Sequence, residues 1–191
     1  VRALGSNNSE SDVLIDLSDI TSILNLVDNY SFTTIVHLAA KVGWDGLTYE
    51  EMYTENVLAT GALGYVANKM GAKLLFGSAA LVHGQTAPQI SLDIPVTVDT
   101  DYARTKYDAE RLLRSILPAV CIFRIGGVFG QNGPSHLGLN RAISGALQGK
   151  APAIYGKGDG LRNYIFVDDL CTQIIEAVRM EASGTYLIAG G

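Results

Sequence analysis

Tyr102 and Lys106 stand four residues apart in "VDTDYARTKYDAERLL", a stretch whose mix of charged and apolar positions predicts a helix. Helical i to i+4 spacing puts phenol and ammonium on one face. A free phenol has a pKa near ~10 and is a poor base at neutral pH, so a neighbouring cation that favours the phenolate would make it a proton-transfer group. Ser78, closing the strand-like "LLFGS", adds a hydroxyl that can hold a substrate oxygen while Tyr102 moves the proton. The spacing alone is weak evidence, because Tyr65 and Lys69 repeat it. That second pair lies inside a long helical stretch with no strand-end hydroxyl beside it in sequence, and it reads as helix packing. Tyr102 and Lys106 instead open a helix directly after "QTAPQISLDIPVTVD", which reads as a surface loop beside a site.

The elements that must carry these residues follow from periodicity. Short runs rich in Val, Ile and Phe alternate with helical periods of ten or more residues, the signature of βαβ units and a parallel sheet. Strands are predicted at Val13 to Ile15, Thr34 to Leu38, Lys73 to Gly77, Val120 to Ile125 and Thr185 to Ile188. Helices are predicted at Ser18 to Val27, Tyr49 to Met70, Asp101 to Ser115, Leu137 to Gln148 and Asp168 to Met180. Ser18 is the expected N-cap of the first helix, and Gly71 the stop after the second.

With 191 residues, 48% of them hydrophobic and 17% charged, the chain suits one well-buried α/β domain spanning 1–191. No apolar run approaches the roughly 18 residues that cross a bilayer, so no membrane partner is expected. A net charge of -5, with 14 dispersed Lys and Arg, argues against a nucleic-acid partner, which needs a basic face. Cys121 and Cys171 read as buried thiols in a reducing compartment, and the cytoplasm is the expected location. The chain opens on Val1 without an initiator methionine, and reads as a fragment.

At these residues the chain resembles the extended short-chain dehydrogenase/reductases, the NAD-dependent nucleotide-sugar epimerase/dehydratase group. Six segments match in the family's order: "TIVHLAAKVG", "ENVLAT", "LLFGSAALVHG", "DYARTKYDAE", "IFRIGGVFGQNGP" and "GDGLRNYIFVDDL". The resemblance implies a doubly wound parallel sheet, Rossmann-like, with the site at the carboxyl ends of the strands. It makes Tyr102 the acid-base tyrosine, Lys106 the cation that lowers its pKa and holds the nicotinamide ribose, and Ser78 the candidate hydroxyl. Asp16 and Leu17 would lie beside the adenine. Leu38, Ala39, Ala40, Lys41, Asn56 and Ile125 would border the cofactor, NAD with NADP as the alternative. Arg162 and Asn140 would meet the nucleotide-diphosphate sugar. Family members often pair through two helices, the tyrosine helix among them, which leaves a homodimer open.

The chain departs from the family at several points. No glycine-rich strand-to-helix turn precedes Val13, so the Rossmann-like domain reads as incomplete at its N-terminus, and "GTYLIAGG" resembles the strand before a small C-terminal substrate region, so it reads as incomplete there too. Gly127, Gly130 and Gly133 form a G-x-x-G-x-x-G run, but Pro134 follows at once and no acidic residue ends a strand ~20 residues on, so it reads as a decoy bordering the substrate. Gly5 and Ser6 follow "VRAL", where the family's NAD users usually carry an acid. Aligned on "VHG", the family's hydroxyl position is Ala79, one step from Ser78, and one step along a strand reverses side-chain direction. Ala80 and Leu81 replace the acidic pair that dehydratases need, which disfavours dehydration, and His83 stands where the family has tyrosine and reads as a packed loop residue. The expected function is nucleotide-sugar 4-epimerisation. Two alternatives stay open: a keto-sugar reductase, and a catalytically inactive fragment or pseudoenzyme acting as a binding module.

Overall fold

The computed structural model describes residues 4–5, 13–43, 46–85, 89–131, 133–134, 137–153 and 162–190. Strands β3 (Thr34–His37), β4 (Lys73–Ala79), β5 (Cys121–Ile125) and β8 (Gly184–Ile188) form an all-parallel sheet in the order β3-β4-β5-β8. Strands β1 (Leu4–Gly5) and β2 (Val13–Leu14) pair parallel with each other, as do β6 (Gly127–Phe129) and β7 (Tyr164–Phe166). Among the described residues β3 pairs with β4 alone, and Val36 on it is 41% exposed.

The helices come as crossovers between parallel strands, as such strands require. They are α1 (Ile20–Leu24), α2 (Leu26–Asn29), α3 (Tyr49–Tyr53), α4 (Ala59–Met70), α5 (Asp101–Ile116), α6 (Gly138–Leu147) and α7 (Val167–Arg179). Alternation along β4 and β5 divides the core in two. Leu74, Phe76 and Ile122 face α4 and α5 and pack with Ile23, Val66, Ala109 and Leu113. Leu75, Cys121 and Phe123 face the other way, against Leu170 of α7. Apolar residues on both faces are what a sheet covered by helices on both sides needs, and the doubly wound arrangement expected from the sequence is present.

Close contact between α4 and α5 depends on two glycines. A Cβ at Gly61 would lie 2.5 Å from Leu112 Cδ2, and one at Gly64 would lie 2.8 Å from Leu113 Cδ2. The tyrosine helix can therefore sit low on the sheet. It is capped by Thr100, whose hydroxyl accepts from the Ala103 amide at 3.2 Å, and it buries Ala103, Lys106, Ala109, Glu110 and Leu113, an i, i+3, i+4, i+7 stripe.

The predicted strands and helices are all found, with five differences, the first being that the helix expected over Ser18 to Val27 is two short helices, α1 and α2, meeting at Asn25. Strands β1, β6 and β7 were not foreseen, because runs of two or three residues have too little period to read. The first helix is capped by Asp19, not Ser18: Asp19 accepts from the Ser22 amide at 3.2 Å, while Ser18 donates to Asp16. The helix expected over Tyr49 to Met70 contains a π-helical turn, Thr54–Leu58. Cys171 is exposed rather than buried, since it lies on the outer side of α7. Gly71 ends α4 at φ 65, as its lack of a Cβ permits. Among the described residues no helix is long and apolar enough to cross a membrane.

His37 closes β3, is 3% exposed and stacks on Phe76 at 5.6 Å. Its Nε2 lies 3.0 Å from Thr60 Oγ1, which itself donates to the Asn56 carbonyl at 2.7 Å. That hydroxyl proton is engaged, so the ring must donate from Nε2. Burial first, and the Lys106 charge second, push the His37 pKa down to about 3 from an ordinary 6.5. Between those values the unfolded chain binds a proton that the folded chain refuses, so stability falls as pH drops through 6.5, by up to ~1.4 kcal/mol per pH unit. Urea unfolding followed from pH 7 to pH 4 should therefore show a shallower acid loss in His37→Gln than in the parent, and equal slopes would refute the assignment.

Candidate active site

Two hydrogen-bond networks position α5, one at its start and one at its middle. The first runs through Asn56 in the π-helical turn, a wide turn that often marks a functional position. Asn56 Oδ1 accepts from the Lys41 amide at 2.8 Å, and its Nδ2 donates to the Lys41 carbonyl at 2.9 Å and to Thr105 Oγ1 at 3.0 Å. Thr105 donates on to the Tyr102 carbonyl at 2.8 Å. The turn after β3 and the first turn of α5 are thus tied through one buried amide. Lys41 extends its ammonium to Glu55 at 2.9 Å.

Lys106 is 2% exposed, and its ammonium donates to the Gly77 carbonyl at 2.8 Å. It lies 4.7 Å from the Phe76 ring centroid and 6.0 Å from that of Tyr102. A Cβ at Gly77 would stand 2.9 Å from Leu38 Cδ2 and 3.5 Å from Ile125 Cδ1, so Leu38, Ile125 and Lys106 converge on one glycine at the strand ends. Burial pulls the Lys106 pKa down to about 8, with Glu110 acting against the fall. Burial pushes the Tyr102 phenol up to about 12. The expected lowering by Lys106 is therefore not present in the chain alone: the ammonium is anchored on a strand carbonyl and reaches the ring, not the hydroxyl. Tyr102 stands here as a proton donor, and needs added positive charge at its oxygen to act as a base.

The second network corrects the role expected for Ser78. It is 4% exposed, and its hydroxyl donates to Glu110 Oε1 at 2.6 Å, turned to the helix side of the sheet. Arg124 of β5 grips the same carboxylate with Nε at 3.0 Å and Nη2 at 2.8 Å, and Arg114 adds Nη2 at 3.2 Å. The remaining Arg124 nitrogen, Nη1, lies 3.0 Å from His83 Nε2. Arginine only donates, so Nε2 accepts and the His83 proton is on Nδ1, toward the Ile94 carbonyl but without a well-formed hydrogen bond. Burial, then Arg124, hold the His83 pKa below its ordinary value. His83 is the packed residue that the sequence implied. Ala79, on the other side of β4, brings no hydroxyl.

The other expected site residues divide. Leu38, Ala39, Ala40, Lys41, Asn56 and Ile125 gather around the carboxyl ends of β3, β4 and β5 with Tyr102 and Lys106. Leu17 packs on the core beside α1. Asp16 is exposed, and its carboxylate accepts from the Ser18 amide and hydroxyl, both at 2.8 Å, which lowers its pKa. Arg162 is exposed just before β7. Asn140 is corrected: it is 6% exposed and staples the preceding loop, accepting from the Gly130 amide at 3.2 Å and donating to the Pro134 carbonyl at 3.3 Å. The glycines of the run are closely packed, since a Cβ at Gly133 would clash with Asn140 and one at Gly130 would lie 2.5 Å from Val167.

Sequence reading missed Glu110, Arg124, Thr105, Thr60 and His37. The clearest overlooked signal was Arg124 itself, a cation inside the apolar "AVCIFRI", which demands a buried anion.

A UDP-glucuronate 4-epimerase of Thermodesulfobacterium geofontis is 25% identical over 173 residues, covering 86% of this chain and 54% of that protein. A dTDP-glucose 4,6-dehydratase of Salmonella typhimurium is 26% identical, covering 92% of this chain and 56% of that one. The chain thus spans about half the length of the curated relatives it matches. Among solved structures, MoeE5 in complex with UDP-glucose and NAD superposes with a TM-score of 0.81 at 27% identity, covering all of this chain and 68% of its own. The UDP-glucuronic acid 4-epimerase of Bacillus cereus in complex with NAD shares the fold, with a TM-score of 0.80 at 23% identity over 96% of this chain and 62% of its own. The family model described as NAD dependent epimerase/dehydratase matches residues 2–189, and the chain belongs to that family.

Proposed function

We propose that this chain carries the proton-transfer site of a nucleotide-sugar 4-epimerase. One observation carries the reading: Tyr102 opens α5 at the strand ends one turn from a buried Lys106, whose anchor, Gly77, is flanked by Leu38 and Ile125. Support comes from the similarity to a UDP-glucuronate 4-epimerase and to MoeE5, solved with UDP-glucose and NAD.

The residues present suit the nicotinamide end of NAD. Lys106 uses one of its three protons on Gly77, leaving two for ribose hydroxyls, and the small Ala39 and Ala40 permit close approach of a flat ring system. NAD supplies the hydride acceptor and donor. Tyr102 would take the proton of the sugar 4-hydroxyl during oxidation at C4 and would return it to the same oxygen during re-reduction. Lys106 would hold the ribose and would bring positive charge near the phenol, offsetting the burial that keeps it protonated in the chain alone. Arg162 is the proposed contact to the diphosphate, where its planar fork suits paired oxygens. Ala80 and Leu81 offer no acid for water loss, which favours epimerisation over dehydration.

A second reading, a binding module without turnover, is favoured by Ala79 and by the engagement of Ser78 with Glu110. A keto-sugar reductase would use the same two residues in one direction only.

Turnover of UDP-sugars with NAD decides between these readings. Tyr102→Phe should lower it about 100-fold or more, the scale of lost acid-base catalysis, and near-normal turnover would overturn the role of Tyr102. In a calorimetric titration with NAD, saturable binding weakened at least about tenfold in Lys106→Met is expected from the lost charge-assisted hydrogen bonds, and an unchanged affinity would remove Lys106 from the cofactor site. The same reading includes a homodimer through two helices, the tyrosine helix α5 and its neighbour α4 with the exposed Tyr65, which sedimentation would report as a doubled mass.

A further inference from the structure

Among the described residues the buried interior contains one carboxylate, Glu110, and two side chains of cationic type, Lys106 and Arg124. Arg114 approaches the same carboxylate from the solvent side, with 40% of its side chain exposed. Glu110 has no exposed side-chain surface, and its two oxygens accept four hydrogen bonds, from Ser78, twice from Arg124, and from Arg114. Lys106 lies one helical turn earlier on the same buried stripe of α5. The two side chains meet consecutive residues of β4: Lys106 donates to the Gly77 carbonyl, and Glu110 accepts from the Ser78 hydroxyl. The ammonium has a strand carbonyl and the Phe76 ring around it, neither of which carries a full negative charge.

We propose that Glu110 is a positioning residue for Lys106, the nearby counter-charge that keeps the ammonium charged in the interior, with Ser78 and Arg124 holding the carboxylate at its station. The proposal rests on the reading of Lys106 as the site's working cation. The groups facing Lys106 can be named element by element. From β3 comes His37, neutral because burial drives its pKa to about 3. From β4 come the Phe76 ring and the Gly77 carbonyl. From α5 itself come Tyr102, neutral with its pKa near 12, and Glu110. Arg124 of β5 and Arg114 bear on Lys106 through Glu110, and oppose it as like charges. Glu110 is therefore the one anion in the set. Burial leaves Lys106 titrating at about 8, a small margin above neutrality, so removal of the carboxylate charge would release the proton at lower pH.

The test uses the 191-residue chain without cofactor or sugar. The 13Cε signal of Lys106, assigned by its loss in Lys106→Met, is followed against pH by NMR. Glu110→Gln should move the midpoint down by about half to one pH unit, as loss of a nearby anion does. Arg114→Gln removes an exposed cation that shields Glu110, and should move the midpoint up by a few tenths of a unit. A midpoint that stays within about 0.2 units of the parent in Glu110→Gln would reduce Glu110 to a structural role and overturn the proposal. If Glu110→Gln does not fold, Arg114→Gln decides alone: a rise supports the coupling, and no change or a fall overturns it. Because no turnover is measured, failure here is distinct from failure of the epimerase reading, which Tyr102→Phe tests.

Discussion

A single buried carboxylate sets the seating of the tyrosine helix. Glu110 joins α5 to β4 through Ser78 and to β5 through Arg124, and both of its oxygens are fully used. A buried ion pair is weak evidence of net stability, because desolvation offsets much of the attraction. Its firmer consequence is geometric. Three donors from the strands, one on Ser78 and two on Arg124, hold the helix in one placement along the sheet, and breaking such a pair by removing one partner typically costs about 3–5 kcal/mol. Tyr102 and Lys106 sit two turns and one turn up the same helix, so their distance from the strand ends is fixed by this contact.

The Asn56 network works at the other end of the helix. Glu110 holds the middle of α5, and the bridge from Lys41 through Asn56 and Thr105 holds its first turn. Apolar Leu38 and Ile125 stand around Gly77 at the strand ends, where the buried cation Lys106 is anchored. In the chain alone burial keeps the Tyr102 phenol protonated, and under the proposed function its activation would depend on what binds beside Lys106.

Much of the fold was legible because a doubly wound sheet leaves a strong pattern. Buried parallel strands need continuous apolar runs such as "KLLFG" and "VCIFRI", and their crossovers need long amphipathic helices. What escaped was short or non-local. Two-residue β1 and three-residue β6 and β7 are defined by pairing partners far away in sequence. The π-helical turn has the same residue types as the α-helix around it. Within the site, Tyr102, Lys106 and Asn56 were readable from spacing and motif, whereas the side to which Ser78 points depends on strand register, which no local pattern contains. Asn140 carries the same lesson, since an amide beside a glycine loop reads as a ligand contact until the loop is seen closing on it.

The wide turn at Thr54–Leu58 also governs the angular phase of everything after it. One residue more or fewer rotates the downstream helix by about 100° relative to the upstream part. Asn56 meets Thr105 in the first turns of α5 while Gly61 and Gly64 meet Leu112 and Leu113 further along it, and both alignments hold only with the extra residue in place. A one-residue deletion there would bring larger side chains against Leu112 and Leu113, lifting the tyrosine helix off the sheet. Apart from Asn56, whose amide ties Lys41 to Thr105, the segment can therefore vary in side chain much more freely than in length.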